Sequence, residues 1–238
     1  MKVLFAGPSL FGQDFDAADL ELRPPARQGD LHRAVLEGAD AIGLVDGVFG
    51  FVPSVWHKEI LFALSTGVRV LGGASLGALR AAECVSFGME PVGEIAQAFA
   101  SGARNEDADV CLAHAPAEMD FMPLSEPLVD VEASVANLLD LGRIDAAQAW
   151  RWLHAARDIY FADRTVAAML KAADLPAELG GAYRQHRVGV KGRDALAVVE
   201  RLKALPEGRA QPPTGWRFNA SDPWRAYLAT LPSAAGAA

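Results

Sequence analysis

The first third of the chain alternates short apolar runs with stretches whose apolar residues recur at helical spacing. Lys2 to Gly7 reads as a strand that ends in the turn Gly7-Pro8-Ser9. Asp30 is placed to cap a helix in which Leu31, Ala34, Val35 and Leu36 share one face. Ala41 to Asp46 is a continuous apolar run, as expected of a strand covered on both faces of a parallel sheet. Pro53-Ser54 then opens a helix carrying Val55, Trp56, Ile60, Leu61 and Leu64, closed near Gly67. Val68 to Leu71 is the next strand, and Gly72-Gly73 leads it straight into a helical stretch from Leu76 to Val85. A further strand is expected over Asp109 to Ala113.

From about Asp130 to Leu205 the period changes to roughly 3.6, as in Val135-Leu138-Leu139 and Ile159-Val166-Met169-Leu170, and predicts four or five helices. The expected fold is α/β: a mostly parallel, Rossmann-like sheet with flanking helices, plus a C-terminal helical lobe. The organisation that follows is a core over residues 1–129, a lobe over 130–205 and a Pro/Gly/Ala-rich tail over 206–238. Trp216, Phe218 and Trp224 give that tail enough apolar surface to lie along the body.

Composition narrows the function. With 238 residues, 51% of them hydrophobic, the chain can bury one sizeable core. No apolar run reaches the roughly 18 residues that span a bilayer, and the opening Met1 to Gly7 reads as a strand rather than a signal peptide. Cys84 and Cys111, far apart in apolar settings, suit buried thiols in a reducing cytoplasm. A net charge of -8 argues against nucleic acid as a partner. The charge is uneven: residues 1–150 carry 9 Lys/Arg against 22 Asp/Glu, whereas residues 151–205 carry 10 against 6. The basic segment is either a solvated helical surface or the face for an acidic protein partner, with Lys191 and Arg193 as candidate contacts.

Gly73-Ala74-Ser75-Leu76-Gly77 has the form G-x-S-x-G between an expected strand and an expected helix. Such a turn exposes the serine hydroxyl, and the Leu76 N–H at the helix start can face a developing oxyanion. The plainer reading is a tight turn or helix cap. A nucleophilic serine needs a base. The strands of a parallel sheet end at one edge, so Gly7 and Ser9, Asp46, the start of the helix with His57 and Lys58, and Ser75 are expected to gather there. His57 has the convenient intrinsic pKa, about 6.5, whereas Lys58 would have to be held neutral by burial and by the positive end of its helix. The residues alone leave that choice open. The late His154 and His186 sit in helical surroundings and make a poorer triad. No metal set is expected: His114 and Glu118 are separated by Pro116, and Asn105 to Asp109 lacks calcium-loop spacing. No G-x-G-x-x-G or phosphate-loop pattern is present, and no cofactor is expected.

Several longer strings together resemble the TfuA-like family: Ala6 to Leu10, Arg23 to Asp30, Ala41 to Phe49, Val55 to Ile60, Gly73 to Glu83, Pro123 to Val129 and Lys191 to Leu196. The resemblance runs over most of residues 3–205. It implies a protein that works beside a YcaO enzyme, which uses ATP to activate a backbone amide oxygen for replacement. It implies hydrolysis of a thiocarboxylated ubiquitin-like sulfur-carrier protein to free sulfide for thioamidation, and help for YcaO in holding its precursor peptide. It further implies a Ser-Lys pair, carried here onto Ser75 as nucleophile and Lys58 as base. The Leu76 N–H and an N–H of the Gly7–Ser9 turn would meet the oxyanion, with Gly73 and Asp46 shaping the site and Arg80 or His57 offsetting substrate charge. An alternative is a non-catalytic adaptor that docks YcaO, carrier and peptide, and a third is a general ester or amide hydrolase.

Overall fold

The computed structural model describes residues 1–50 and 52–230. Its centre is a sheet of five parallel strands, β1 (Lys2–Phe5), β2 (Leu20–Arg23), β3 (Ala41–Leu44), β4 (Arg69–Gly72) and β5 (Glu90–Pro91), in the order β2-β1-β3-β4-β5. The chain starts in β1, steps outward to β2 and returns on the other side of β1 to β3. The strand order therefore reverses between β1 and β3, where open parallel sheets hold their ligands, just outside the strand ends.

Both faces of the sheet are covered, which explains the uninterrupted apolar runs of β1 and β3. Val3, Phe5, Ile42, Leu44 and Val70 point to one face, under α1 (Asp30–Leu36), α2 (His57–Ser65), α3 (Leu76–Cys84) and α4 (Glu94–Ala100). Leu4, Ala41, Val45 and Leu71 point to the other, where Ala195, Val198, Val199 and Leu202 of α9 (Val190–Lys203) cover them. The period-2 alternation of side chains along a strand produces this split. A separate cluster built on Val131, Val135, Leu138, Trp152, Met169 and Tyr183 holds together α5 (Leu128–Asp140), α6 (Ala146–Asp158), α7 (Val166–Ala172) and α8 (Leu179–Gln185). Helix α9 follows that bundle in sequence and packs on the sheet instead. It runs against the strands: the Lys2 ammonium at the start of β1 donates to the carbonyl of Lys203 at 2.7 Å, so the first turn of α9 lies at the opposite edge, where the strands end.

Some elements differ from the sequence reading. Asp109–Ala113 is not a strand; the run closes a 3-10 turn over Asp107–Asp109, and the stretch beyond it contributes a lone bridge between His114 and Pro123. The Val110 carbonyl is taken by the Lys191 amine at 2.7 Å and the Ala113 N–H by the Ser125 hydroxyl at 2.8 Å, so these backbone groups are not offered to a neighbouring strand. Helix α2 begins at His57 rather than Pro53, with the buried Glu59 carboxylate accepting the Trp56 N–H at 3.1 Å. Asp30 lies in the first turn of α1 and accepts the Arg27 N–H, while Gly29, at φ 100°, is the residue at the cap. The tail follows the body: Arg209 donates to the carbonyls of Val35 and Ala39, Trp216 donates to that of Phe87, and α10 (Asp222–Thr230) buries Trp224 against His32, Trp56 and Phe62. Residues 231–238 of the tail lie outside the described residues.

Candidate active site

The turn between β4 and α3 is built by close backbone approach. A Cβ on Gly77 would overlap the carbonyl oxygen of Leu44 at the end of β3, and one on Gly73 would sit 2.5 Å from the Val92 oxygen and 2.6 Å from the Val198 side chain. Only glycine lets α3 begin this near the sheet. Between them Ala74 takes φ 62°, a left-handed conformation uncommon for a residue with a side chain. The Ser75 N–H donates to the Gly73 oxygen at 2.7 Å, closing a sharp turn. Ser75 precedes the first turn of α3, where the positive end of the helix dipole lies. Among the described residues the Leu76 N–H has no hydrogen-bond acceptor.

The amine that meets Ser75 is that of Lys191. Its Nζ lies 3.1 Å from Ser75 Oγ and donates to the Val110 carbonyl at 2.7 Å. Ser75 and Lys191 are only 4% and 3% exposed. Burial pushes the Lys191 pKa down from the usual lysine range, with the carboxylates of Asp46 and Asp130 opposing that shift. Lys191 reaches the site because the first turn of α9 is pinned from two sides. Its backbone N–H donates to Asp130 Oδ1 on α5 at 3.0 Å, and Asp194, one turn on, accepts the Glu94 and Ile95 N–H groups that open α4.

Asp46, at the reversal between β1 and β3, is buried and fully occupied. Its Oδ2 accepts the Gly7 and Ser9 N–H groups at 2.9 and 3.0 Å, and its Oδ1 accepts the Ser9 hydroxyl at 2.7 Å. It fixes the turn after β1 and places a negative charge near Lys191. This corrects one expectation: Gly7 and Ser9 have no amide to spare for an oxyanion, because both N–H groups are spent on Asp46. The Leu76 N–H, by contrast, is left open among the described residues.

The start of α2 does not join the group. Lys58 Nζ donates to the Asn219 carbonyl at 2.7 Å and sits 5.3 Å from the centre of the Phe218 ring, so it binds the tail rather than Ser75. His57 Nε2 lies 2.8 Å from Glu83 Oε2, and Arg80 holds Glu83 and the Val55 carbonyl. Burial works against the Glu83 charge, but hydrogen bonds from His57 and Arg80 hold its carboxyl below the usual range. The physical reason lies in helix phase. Glu59 and Ile60 take the inward face of α2, Glu59 accepting the Gly29, His32 and Trp56 N–H groups, and this turns Lys58 toward the surface. The expectation for Lys191 and Arg193 as surface contacts also changes. Lys191 is buried at the site, and Arg193 alone is exposed, paired with Glu94 at 2.9 Å.

Two cavities are lined by residues next to the partners of the Ser75–Lys191 pair, Gly7 in one and Cys111 in the other. One of about 760 Å³, lined by Leu10, Phe11, Phe15 and Phe121, opens beside Gly7. The other, of about 640 Å³, lies between Phe49, Tyr160, Phe161 and Cys111. Burial pushes the Cys111 thiol up to about 11, and its Sγ donates to the Asp107 carbonyl. His114 packs edge-on against Phe121, 5.7 Å between ring centres. Among the described residues no three His, Cys, Asp or Glu side chains gather as a metal-ligand set, and no helix is long and apolar enough to cross a membrane.

Sequence reasoning missed Lys191 as the partner of Ser75, along with Asp130 and the Val110 carbonyl that hold it. The string Lys191-Gly192-Arg193-Asp194 was the one available signal, and Ser75 lies 116 positions before it. No curated protein matches the chain. A family model described as TfuA-like protein matches residues 46–165, about half of the chain, taking in Asp46, Ser75 and Asp130 but stopping short of Lys191. On that match the chain belongs to the TfuA-like protein family.

Proposed function

We propose that this TfuA-like protein hydrolyses the thiocarboxylated C-terminus of a ubiquitin-like sulfur-carrier protein, with Ser75 as nucleophile and Lys191 as its base, and supplies the sulfide to a YcaO enzyme that thioamidates a precursor peptide. The observation that carries the reading is the 3.1 Å approach of a fully buried lysine amine to a serine hydroxyl at the start of a helix. A lysine acts as a base only when neutral, and burial favours the neutral form. The Val110 carbonyl takes one of its hydrogens and fixes the direction of its lone pair.

In the first step neutral Lys191 takes the Ser75 proton as Oγ attacks the carbonyl carbon, and the Leu76 N–H accommodates the oxyanion. As the C–S bond breaks, Lys191 passes the proton to sulfur, so thiocarboxylate and serine become an acyl-serine and hydrosulfide. In the second step Lys191 draws a proton from water, which attacks the ester; the carrier leaves with an ordinary carboxyl group and Ser75 regains its hydrogen. His57 and Arg80, engaged with Glu83, take no part in either step.

A second reading, an adaptor that docks YcaO, carrier and peptide without chemistry, draws on one observation: the dyad is closed, and neither residue lines those two cavities. Ser75→Ala separates the two. The hydrolytic reading expects sulfide release from a thiocarboxylated carrier to fall by at least about 10³-fold while binding to YcaO is unchanged. Wild-type release and thioamidation in the Ser75→Ala variant would leave only the adaptor.

A further inference from the structure

Asp130 belongs to the helical bundle, yet it is 2% exposed and sits against the first turn of α9. Its Oδ1 accepts the backbone N–H of Lys191 at 3.0 Å, and its Oδ2 accepts from Arg187 Nη2 at 2.9 Å. Arg187 in turn donates through Nε to Glu126 at 3.1 Å, and Glu126 also accepts from the Tyr183 hydroxyl at 3.4 Å. A chain of hydrogen-bonded charges thus runs from the partly exposed Arg187 and Glu126, through Asp130, to the backbone N–H of the residue whose amine touches Ser75.

We propose that Asp130 is a positioning residue for the reaction at Ser75: it fixes the turn of α9 that carries Lys191 and, balanced by Arg187, sets how readily the Lys191 amine holds a proton. The inference rests on the Ser75–Lys191 reading and adds the group that tunes it. Its logic is electrostatic. The groups facing Lys191 are Asp46 from the end of β3, Asp130 from α5, Cys111 from the segment before α5, and Arg187 from the connection into α9. Asp46 is committed to the Gly7–Ser9 turn, and a change there would disturb the β1 end as well as the charge. Cys111 stays a neutral thiol. Asp130 and Arg187 remain as an opposed pair whose charges can be removed one at a time. An anion near a lysine favours its protonated form, and a cation disfavours it. Removal of the two charges therefore moves the amine in opposite directions, an outcome that loosened packing would not produce.

The test is the pH dependence of sulfide release from a thiocarboxylated carrier, measured on the full chain as wild type, Asp130→Asn and Arg187→Gln. Asn keeps an oxygen to accept the Lys191 N–H. The rate is expected to rise with pH as Lys191 loses its proton, with an inflection below the roughly 10.4 of free lysine. Asp130→Asn should move the inflection down by about one pH unit, and Arg187→Gln should move it up. The Lys191 titration read by NMR in the same proteins, without substrate, should shift with the same two signs. Unmoved inflections, or two shifts of one sign, overturn the role of Asp130. Absence of sulfide release from the wild type overturns the Ser75–Lys191 reading instead, and the NMR titration then still decides whether Asp130 and Arg187 set the Lys191 proton affinity.

Discussion

Two turns in this molecule lead from a strand into a helix and carry residues suited to catalysis, and they end differently. After β4, only Gly73 and Ala74 separate the strand from Ser75, and contacts without room for a Cβ clamp α3 onto β3. After β3, twelve residues pass before α2 begins, and its first turn is set by Glu59, which bonds inward to the start of α1. The short connection delivers its side chain to the functional edge. The long one leaves His57 and Lys58 free to serve the surface, where they hold Glu83 and the C-terminal tail. Strand topology places helix starts at one edge; the length of the connection and the phase of the helix decide where the side chains go.

The contrast can be broken from the side of α2 first, where the largest change in stability is expected. Trp224 is buried among His32, Trp56, Phe62 and Tyr227, and truncation of such a core aromatic costs about 3–5 kcal/mol. Trp224→Ala should release the segment after Pro206 to proteolysis and hydrogen exchange. The turnover at Ser75 should stay within about twofold, because the two regions share no partners. A parallel loss of activity would tie the tail to the site.

On the other side, Gly77→Ala puts a methyl group into the Leu44 carbonyl. The expected cost is smaller, about 1–3 kcal/mol, or a fall in melting temperature of about 2–4 °C for each kcal/mol. Because the displaced element is the first turn of α3, the consequence for activity is greater, with sulfide release down about 10²-fold in protein that remains folded. Near-normal turnover in that variant would mean that the turn need not be this tight.

Much of the core was legible because covered parallel strands and helices have distinct periods. β1, β3 and β4 stand out as apolar runs, and the 3.6 spacing beyond Asp130 marks the bundle. β2 was not legible: Leu20-Glu21-Leu22-Arg23 is a half-covered edge strand, and β5 has only two residues. The turn that carries Ser75 could be picked out because small neighbours mark a tight passage from strand to helix. The approach of Lys191 could not, because it arises from α9 leaving the bundle and lying across the sheet. That packing is written in the apolar face Ala195-Val198-Val199-Leu202, which fits a bundle helix equally well. A basic segment next to Arg193 suggested solvent; burial beside Ser75 reverses the meaning of the same lysine.

Sulfide release from a thiocarboxylated carrier by Lys191→Met and Lys58→Met, side by side, tests the assignment of the base most directly. A general base contributes about 10²–10⁴-fold, so Lys191→Met should lose that much. Its fold should persist: a buried lysine with a lowered pKa makes the folded state bind fewer protons than the unfolded one, so wild-type stability rises with pH from the folded to the unfolded pKa, and methionine should remove that slope. Lys58→Met removes an exposed bond to Asn219 and a contact with Phe218 worth about 1 kcal/mol or less, and its turnover should match wild type. Loss of turnover in Lys58→Met, with Lys191→Met still active, would contradict the account.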